Sequence, residues 1–132
     1  MKELQEVRSL KENRYILIDD EPCRILSIQV SKPGKHGSAK ARIDAVGIFD
    51  GNKRSGIYGV SDKVGVPMID KRTAQVLALM GDQVQLMDIV SFETFELPIP
   101  EEMKGDIVAG GEVHYFTAMG RKKMTRATAG ED

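Results

Sequence analysis

The residue of this chain best placed for chemistry is Lys35, which lies between Gly34 and Gly37 in the segment SKPGKHGSAKAR, residues 31–42. Glycine has no Cβ, so another molecule can approach the backbone beside this lysine closely. A lysine becomes a nucleophile when burial or a neighbouring cation lowers its pKa, whereas a glycine-rich turn offers solvation. The segment therefore predicts a lysine that other molecules act upon, and not a catalytic Schiff-base lysine.

Two strands must position this lysine. Residues 23–30 (CRILSIQV) and 39–49 are rich in apolar and β-branched residues, as is typical of strands. Between them, residues 32–35 (KPGK) fit a type II turn, because Pro fixes φ at the second position and Gly supplies positive φ at the third. The sequence predicts a β-hairpin with Lys35 on the outer side of its turn.

The loop sequence has two other possible interpretations. A phosphate-binding loop is excluded because the spacing G-x-x-x-x-G-K-[ST] is absent and His36 follows the lysine. A plain hairpin with a solvated, unmodified lysine is the simplest alternative.

The formal net charge of −1 hides a local excess of positive charge around the loop. Between Glu21 and Asp44 the chain has no acidic residue. The basic residues of that interval are Arg24, Lys32, Lys35, Lys40 and Arg42. Such a concentration attracts phosphate even on a protein that is not basic overall.

The first half reads as a series of strands with explicit turns. Residues 6–10 are predicted to pair with 15–18, and residues 19–22 turn the chain into the hairpin arm. Asp50-Gly51-Asn52 is a strong hairpin signal, followed by a strand over 53–60. Residues 64–68 (VGVPM), with a Gly and a Pro in an apolar stretch, are predicted to be a short linker between two domains, and we expect this apolar linker to be packed.

The second half also reads as strands. Strands are predicted over residues 73–80, 83–88, 91–97, 113–118 and 121–127, with a short helical segment within 98–107. Gly81-Asp82 suits a type II′ turn. Five strands with one helical interruption fit an OB-fold.

The aromatic and basic residues of this half could contact RNA, because OB-folds stack bases on exposed rings. Strand alternation puts Phe92 and Phe95 on opposite faces, so at least one belongs in the core. We expect core positions for the four rings, which are Phe92, Phe95, Tyr115 and Phe116. A basic cluster could contact RNA backbone or be a solvated edge strand; its members are Arg121, Lys122, Lys123 and Arg126.

The composition of the chain argues against several other classes of protein. The chain has 132 residues, 41% of them hydrophobic, and neither an apolar run long enough to span a membrane nor a secretory signal, so we expect a cytosolic protein without a membrane partner. Cys23, the only cysteine, is expected to be a buried, inert thiol. His36 and His114 have no cysteine cluster around them, so no metal site, cofactor or enzymatic activity is predicted.

The loop and its surroundings resemble translation initiation factor 5A in its archaeal and eukaryotic form. The resemblance rests on residues 31–40 (SKPGKHGSAK), 19–25 (DDEPCRI) and 46–49 (VGIF), and on Val66-Pro67. The family usually has Thr at the position of Val30, a departure at the base of the loop that weakens a local hydrogen bond. Bacterial elongation factor P is related, but its third domain has no room in this chain.

The resemblance implies an all-β protein with an SH3-like barrel over 1–67 that carries the loop and an OB-fold over 68–132 with one short helix. It implies that deoxyhypusine synthase transfers an aminobutyl group from spermidine to Lys35, giving deoxyhypusine and, in many members, hypusine. Whether hydroxylation occurs, and the oligomeric state, stay open.

The resemblance also implies a translation factor on the ribosome. The modified Lys35 would reach the peptidyl-tRNA and promote slow peptide bonds, notably within proline runs. The loop and RNA contacts would be Lys32, Pro33, Gly34, His36, Gly37, Lys40 and Arg42, facing ribosomal RNA and peptidyl-tRNA. The alternative is a generic RNA-binding adaptor in which Lys35 stays unmodified.

Overall fold

The structure, a computed structural model, describes residues 2–32 and 39–128, in which all regular structure is strand apart from two 3-10 turns. The all-β prediction is confirmed. Two compact units divide between Met68 and Ile69. No helix within the described residues is long and apolar enough to cross a membrane.

The first unit contains six strands in two sheets. They are β1 (Lys2–Glu6), β2 (Tyr15–Ile18), β3 (Glu21–Ser31), β4 (Lys40–Gly47), β5 (Lys53–Gly59) and β6 (Lys63–Pro67). The larger sheet has the antiparallel order β2-β3-β4-β5, and β1 pairs with β6. Ile16, Ile25 and Ile43 are fully buried at the centre of its core.

The predicted pairing of residues 6–10 with 15–18 is wrong. Val7–Ser9 form a 3-10 turn, and β1, which ends at Glu6, pairs with β6. Val7 and Leu10 are both buried. A separation of three residues brings side chains to one side of a 3-10 turn, whereas strand alternation would put them on opposite faces.

The segment predicted as a packed linker at 64–68 does pack and lies where the two units divide, but it is not a linker, because most of it belongs to β6. Val64 and Val66 pack against the core of the first unit. Gly65 lies between them at a crowded position, where an added Cβ would come within 2.9 Å of Leu17 Cδ1. Gly and Pro therefore mark a strand that needs close packing, and not a break between elements.

The crowding at Gly65 gives a test of this correction. We expect Gly65→Ala to lower the free energy of unfolding by about 1 kcal/mol, because the buried Leu17 side chain must shift. Urea denaturation followed by circular dichroism measures the change. An unchanged or higher midpoint, as a free linker would give, contradicts the packing described here.

The second unit contains five strands in one antiparallel sheet. They are β7 (Asp70–Met80), β8 (Gln83–Asp88), β9 (Thr94–Pro98), β10 (Glu112–Ala118) and β11 (Arg121–Thr128), in the order β11-β10-β7-β8-β9. Gly81 has φ +67 at the first central position of the β7–β8 turn, as a type II′ turn requires. The predicted short helical segment is confirmed as one 3-10 turn, Glu101–Met103, whose Met103 is buried.

Candidate functional site

The long hairpin of β3 and β4 is confirmed and carries the predicted modification loop. Its register runs from Cys23 opposite Gly47 to Ser31 opposite Lys40, with one bulge between Ile25 and Ser27. β5 pairs with the other edge of β4 along its length, from Lys40 opposite Gly59 to Val46 opposite Lys53. Residues 32–39 therefore connect two strands held by the sheet.

The hairpin is anchored from one side. Ile25, Ala41 and Ile43 are buried in the core, and alternation turns Arg42 outward. At the base of the loop Val30 pairs with Ala41, so the ladder continues through the position at which the family usually has Thr. The loop thus begins from a rigid base.

Three of the predicted site residues lie within the described part of the chain. Lys32 is exposed directly after β3, and Lys40 is exposed at the start of β4. Arg42 is exposed too, but its Nη2 lies 3.3 Å from Asp44 Oδ1. A phosphate contact by Arg42 would have to compete with this carboxylate, although exposed ion pairs are weak enough to exchange.

The remaining predicted residues of the loop are Pro33, Gly34, Lys35, His36 and Gly37, and they lie outside the described residues. Their roles stay predictions.

The turn between β4 and β5 is stabilised by hydrogen bonds to the Asp50 carboxylate. Arg54 donates to both carboxylate oxygens of Asp50, at 3.1 and 2.9 Å, and the Asn52 backbone N–H donates to Asp50 Oδ1. The hydrogen bond from Arg54, followed by that from Asn52, lowers the pKa of Asp50 to about 2. The Asp50-Gly51-Asn52 hairpin prediction is confirmed.

Cys23 is fully buried beside this turn, as predicted. Burial raises the pKa of its thiol, which keeps the side chain in the unreactive protonated form. Among the described residues, no group of three His, Cys, Asp or Glu side chains is arranged to hold a metal ion.

A buried charge network in the second unit was missed by the sequence analysis. The Asp88 carboxylate accepts hydrogen bonds from Arg72 Nε at 2.6 Å, from Arg72 Nη2 at 3.0 Å and from the Tyr115 hydroxyl at 2.6 Å. It also accepts from the backbone N–H groups of Val90 and Ser91, at 2.8 and 2.9 Å. These donors, chiefly Arg72, hold the pKa of Asp88 far below its usual range.

The network joins residues from three strands and fixes the β8–β9 turn. Burial, then the hydrogen bond to Asp88, raises the pKa of Tyr115 to about 12. The only signal in the sequence was an acidic residue at a position of β8 where alternation predicts an inward side chain.

The aromatic predictions for this unit were partly right. Tyr115 is buried and Phe95 packs against the same core, with their ring centroids 5.0 Å apart. Phe92 is wrong as a core residue, since it is 67% exposed with φ +63 in the tight turn after Asp88. The predicted strand over 91–97 consequently begins at Thr94.

The predicted basic cluster lies on β11, which is an edge strand of its sheet. Lys122 is engaged within the unit: its Nζ is 3.7 Å from Glu93 Oε2 and 5.1 Å from the centroid of the Phe95 ring. Phe116 is half-buried and is not among the residues that pack against the core, so its predicted core position is wrong. Arg126 is exposed.

Taken together, the sheets of the two units and the long hairpin define a two-domain all-β protein in which a barrel-like unit carries a basic loop and an OB-fold follows. A family model described as "Translation initiation factor 5A-like, N-terminal" matches residues 3–61. A second, described as "Eukaryotic elongation factor 5A hypusine, DNA-binding OB fold", matches residues 68–127.

Relatives of nearly the same length agree with these matches. The chain is 53% identical to translation initiation factor 5A of Methanocella arvoryzae, over 95% of this chain and 98% of the relative. It is also 53% identical to that of Archaeoglobus fulgidus, over 96% and 98%. A solved structure, eukaryotic translation initiation factor 5A from Methanococcus jannaschii, is 50% identical with a TM-score of 0.87, covering 96% of each chain.

The chain belongs to the translation initiation factor 5A family. The predicted fold, an SH3-like barrel followed by an OB-fold, is confirmed.

Proposed function

We propose that this protein is a cytosolic, non-enzymatic translation factor that uses a spermidine-derived (deoxy)hypusine side chain on Lys35 to position peptidyl-tRNA on the ribosome. Membership of a family of translation factors with a hypusine domain supports the proposal. The observation that supports it most is the hairpin: β3 ends at Ser31 and β4 begins at Lys40, and residue 35 falls between them in the sequence.

The chemical argument is one of reach and charge. An aminobutyl group extends the lysine side chain to roughly twice its length and adds a second cationic amine. A thin, doubly charged rod can enter a narrow site lined by phosphate and reach the acceptor end of a tRNA. Holding that end near its attacking partner accelerates a slow peptide bond by positioning, without any catalytic group on the factor.

The base of the loop suits this role. Lys32 and Lys40 are exposed on either side of the connection, where they can contact phosphate while the modified side chain extends beyond them. The proposed partners are the ribosome, its RNA and peptidyl-tRNA, with deoxyhypusine synthase as the modifying enzyme.

The experiment compares one preparation before and after modification. Protein made in a bacterial host should carry plain lysine, and deoxyhypusine synthase with spermidine should then modify it. In a reconstituted translation assay, the modified form should accelerate proline-run synthesis and the unmodified form should not. Equal rates for both forms would favour an RNA-binding adaptor that acts without modification.

The glycines beside Lys35 provide a second test. If Gly34 and Gly37 adopt positive φ or let the modifying enzyme approach the backbone, Val at either position should leave the barrel folded and block aminobutyl transfer. Circular dichroism reports the fold, and mass spectrometry reports transfer. Normal modification of both variants, or unfolding of both, contradicts this account of the loop.

A further inference from the structure

The first unit has a cavity where the 3-10 turn after β1 meets the start of β2. Its volume is about 210 Å³. Its lining residues are Gln5, Ser9, Leu10, Lys11, Arg14, Tyr15 and Val66. We call it the β1–β2 cavity. It combines two cations, one aromatic ring, an apolar floor and a polar end.

The turn that carries the two cations is fixed by backbone hydrogen bonds. The Arg14 N–H donates to the Lys11 carbonyl at 3.2 Å, and the Arg14 carbonyl accepts from the Ile25 N–H at 2.8 Å. The Asn13 N–H donates to the Ile25 carbonyl at 2.9 Å. The turn is therefore tied to β3, which fixes the backbone from which Lys11 and Arg14 extend.

The positive charge of Lys11 and Arg14 is not neutralised by an acidic neighbour. Both side chains are exposed, and no carboxylate among residues 2–32 and 39–128 pairs with either. Glu6 pairs instead with Arg8, at 3.0 Å, and Glu12 does not line the cavity. A concave site with charge of one sign and apolar walls concentrates ions of the opposite sign. The cavity therefore suits an anion.

The floor of the cavity is apolar. Leu10 is buried, and Val66 packs against the core of the unit. The Tyr15 ring is half-buried beside them. An anion that fills this cavity therefore needs an apolar body, and a flat ring suits the aromatic wall.

The polar end of the cavity can both donate and accept hydrogen bonds. The Ser9 hydroxyl donates to the Glu6 carbonyl at 2.7 Å, so its oxygen is left to accept. Gln5 Nε2 donates one of its two protons to Glu3 Oε1 at 3.3 Å and keeps the other. Nucleobases present donors and acceptors side by side on their edges, which a plain aromatic ring does not.

We propose that the β1–β2 cavity binds a nucleoside 5′-monophosphate, with the phosphate between Lys11 and Arg14. The base lies against Tyr15, with its edge towards Gln5. A phosphate monoester carries close to two negative charges at pH 7, which the two cations balance. A guanidinium binds two phosphate oxygens at once, and an ammonium adds a point charge. Because the cavity is smaller than the roughly 300–1,000 Å³ of sites for drug-sized ligands, it favours the single ring of a pyrimidine.

The cavity lies away from the base of the modification loop. Ile25, to which its turn is bonded, is six residues before Ser31, roughly 20 Å along β3. Nucleotide binding is therefore independent of the modification of Lys35 and of the function proposed above.

The test titrates the full-length, unmodified, ¹⁵N-labelled chain with uridine 5′-monophosphate and follows the amide chemical shifts. The shifts should saturate and be largest around Ser9, Leu10 and Arg14. Lys11→Gln and Arg14→Gln each remove one charge from the cavity and should weaken binding about tenfold. Lys53→Gln is the matched control, because it removes an exposed cation of the same unit outside the cavity, and it should bind normally.

Two further ligands separate the parts of the nucleotide. Uridine lacks the phosphate and inorganic phosphate lacks the base, so each should bind the wild type at least about tenfold more weakly than uridine 5′-monophosphate. These comparisons need no variant, so they decide the matter even where a substitution prevents folding, which circular dichroism reports.

The proposal is overturned if uridine 5′-monophosphate gives no saturable shift up to about 5 mM, or if the largest shifts fall outside the cavity. It is also overturned if Lys53→Gln weakens binding as much as Arg14→Gln does. Equal binding of inorganic phosphate would show an unspecific anion site. Equal binding of an oligouridylate with a 5′-hydroxyl end, on the same amides, would show a contact with RNA backbone instead of a nucleotide site.

Discussion

Lys35→Arg should yield a factor that still binds ribosomes but no longer accelerates peptide-bond formation within proline runs. Arginine keeps a positive charge at residue 35 but lacks the primary amine that accepts the aminobutyl group. Lys32 and Lys40, which flank the loop, and the second unit persist and sustain binding. In a reconstituted translation assay, the rate through a proline run should therefore fall to that measured without the factor.

Lys40→Ala is the matched comparison, because it removes an exposed cation at the base of the same loop. It should weaken ribosome binding with a shallower salt dependence, while the rate at saturating factor stays nearly intact. If Lys35→Arg supported proline-run synthesis as well as the modified protein does, charge alone would account for the activity. That result would favour the alternative, an RNA-binding adaptor that acts without modification of Lys35.

Asp88→Asn should cost the second unit about 3 kcal/mol of its free energy of unfolding, a large loss for a domain of this size. Every group that contacts the Asp88 carboxylate is a donor, from Arg72, Tyr115 and two backbone N–H groups. An asparagine amide nitrogen would face one of these donors and leave the buried Arg72 contact uncompensated. Urea denaturation, with hydrogen exchange of the β7, β8 and β10 amides, measures the loss.

Asp70→Asn is the control for this change. Asp70 Oδ2 also contacts Arg72, at 2.9 Å, but its side chain is 59% exposed. Solvent screens such a pair, so its removal should cost less than about 1 kcal/mol. Equal losses for Asp70→Asn and Asp88→Asn would show that burial does not set the strength of this network.

The contribution of Asp88 should depend on pH in one direction. Its pKa is lowered in the folded state, chiefly by Arg72, so the ionised carboxylate stabilises the fold above the unfolded pKa of about 3.9. As the pH falls below that value, protonation of the unfolded chain removes this stabilisation. The difference in unfolding free energy between wild type and Asp88→Asn should be full at pH 7 and shrink towards pH 2.

The hairpin could be predicted from the sequence because its determinants are local. Two apolar, β-branched arms with Pro and Gly between them specify the pairing of β3 with β4 within a short stretch. The Asp50-Gly51-Asn52 and Gly81-Asp82 turns were predictable for the same reason.

The sequence predictions were wrong where contacts between distant parts of the chain determine the local conformation. Val7 and Leu10 suit a strand by type, but a 3-10 turn buries both, and β1 pairs with β6 across about sixty residues of chain. Phenylalanine is common in strands, yet the hydrogen bonds from the backbone N–H groups of Val90 and Ser91 to Asp88 form a turn that includes Phe92. The side chains that contact Asp88, those of Arg72 and Tyr115, are far from it in sequence, so periodicity carries no trace of the network.

The central claim, that Lys35 carries an aminobutyl group from spermidine, is tested most directly by the mass of the protein purified from its own cells. Intact mass followed by peptide mapping should show one aminobutyl addition, with or without one oxygen, on the peptide that contains residue 35, and on Lys35 itself. An unmodified mass, or the addition on Lys32 or Lys40 instead, would contradict the account.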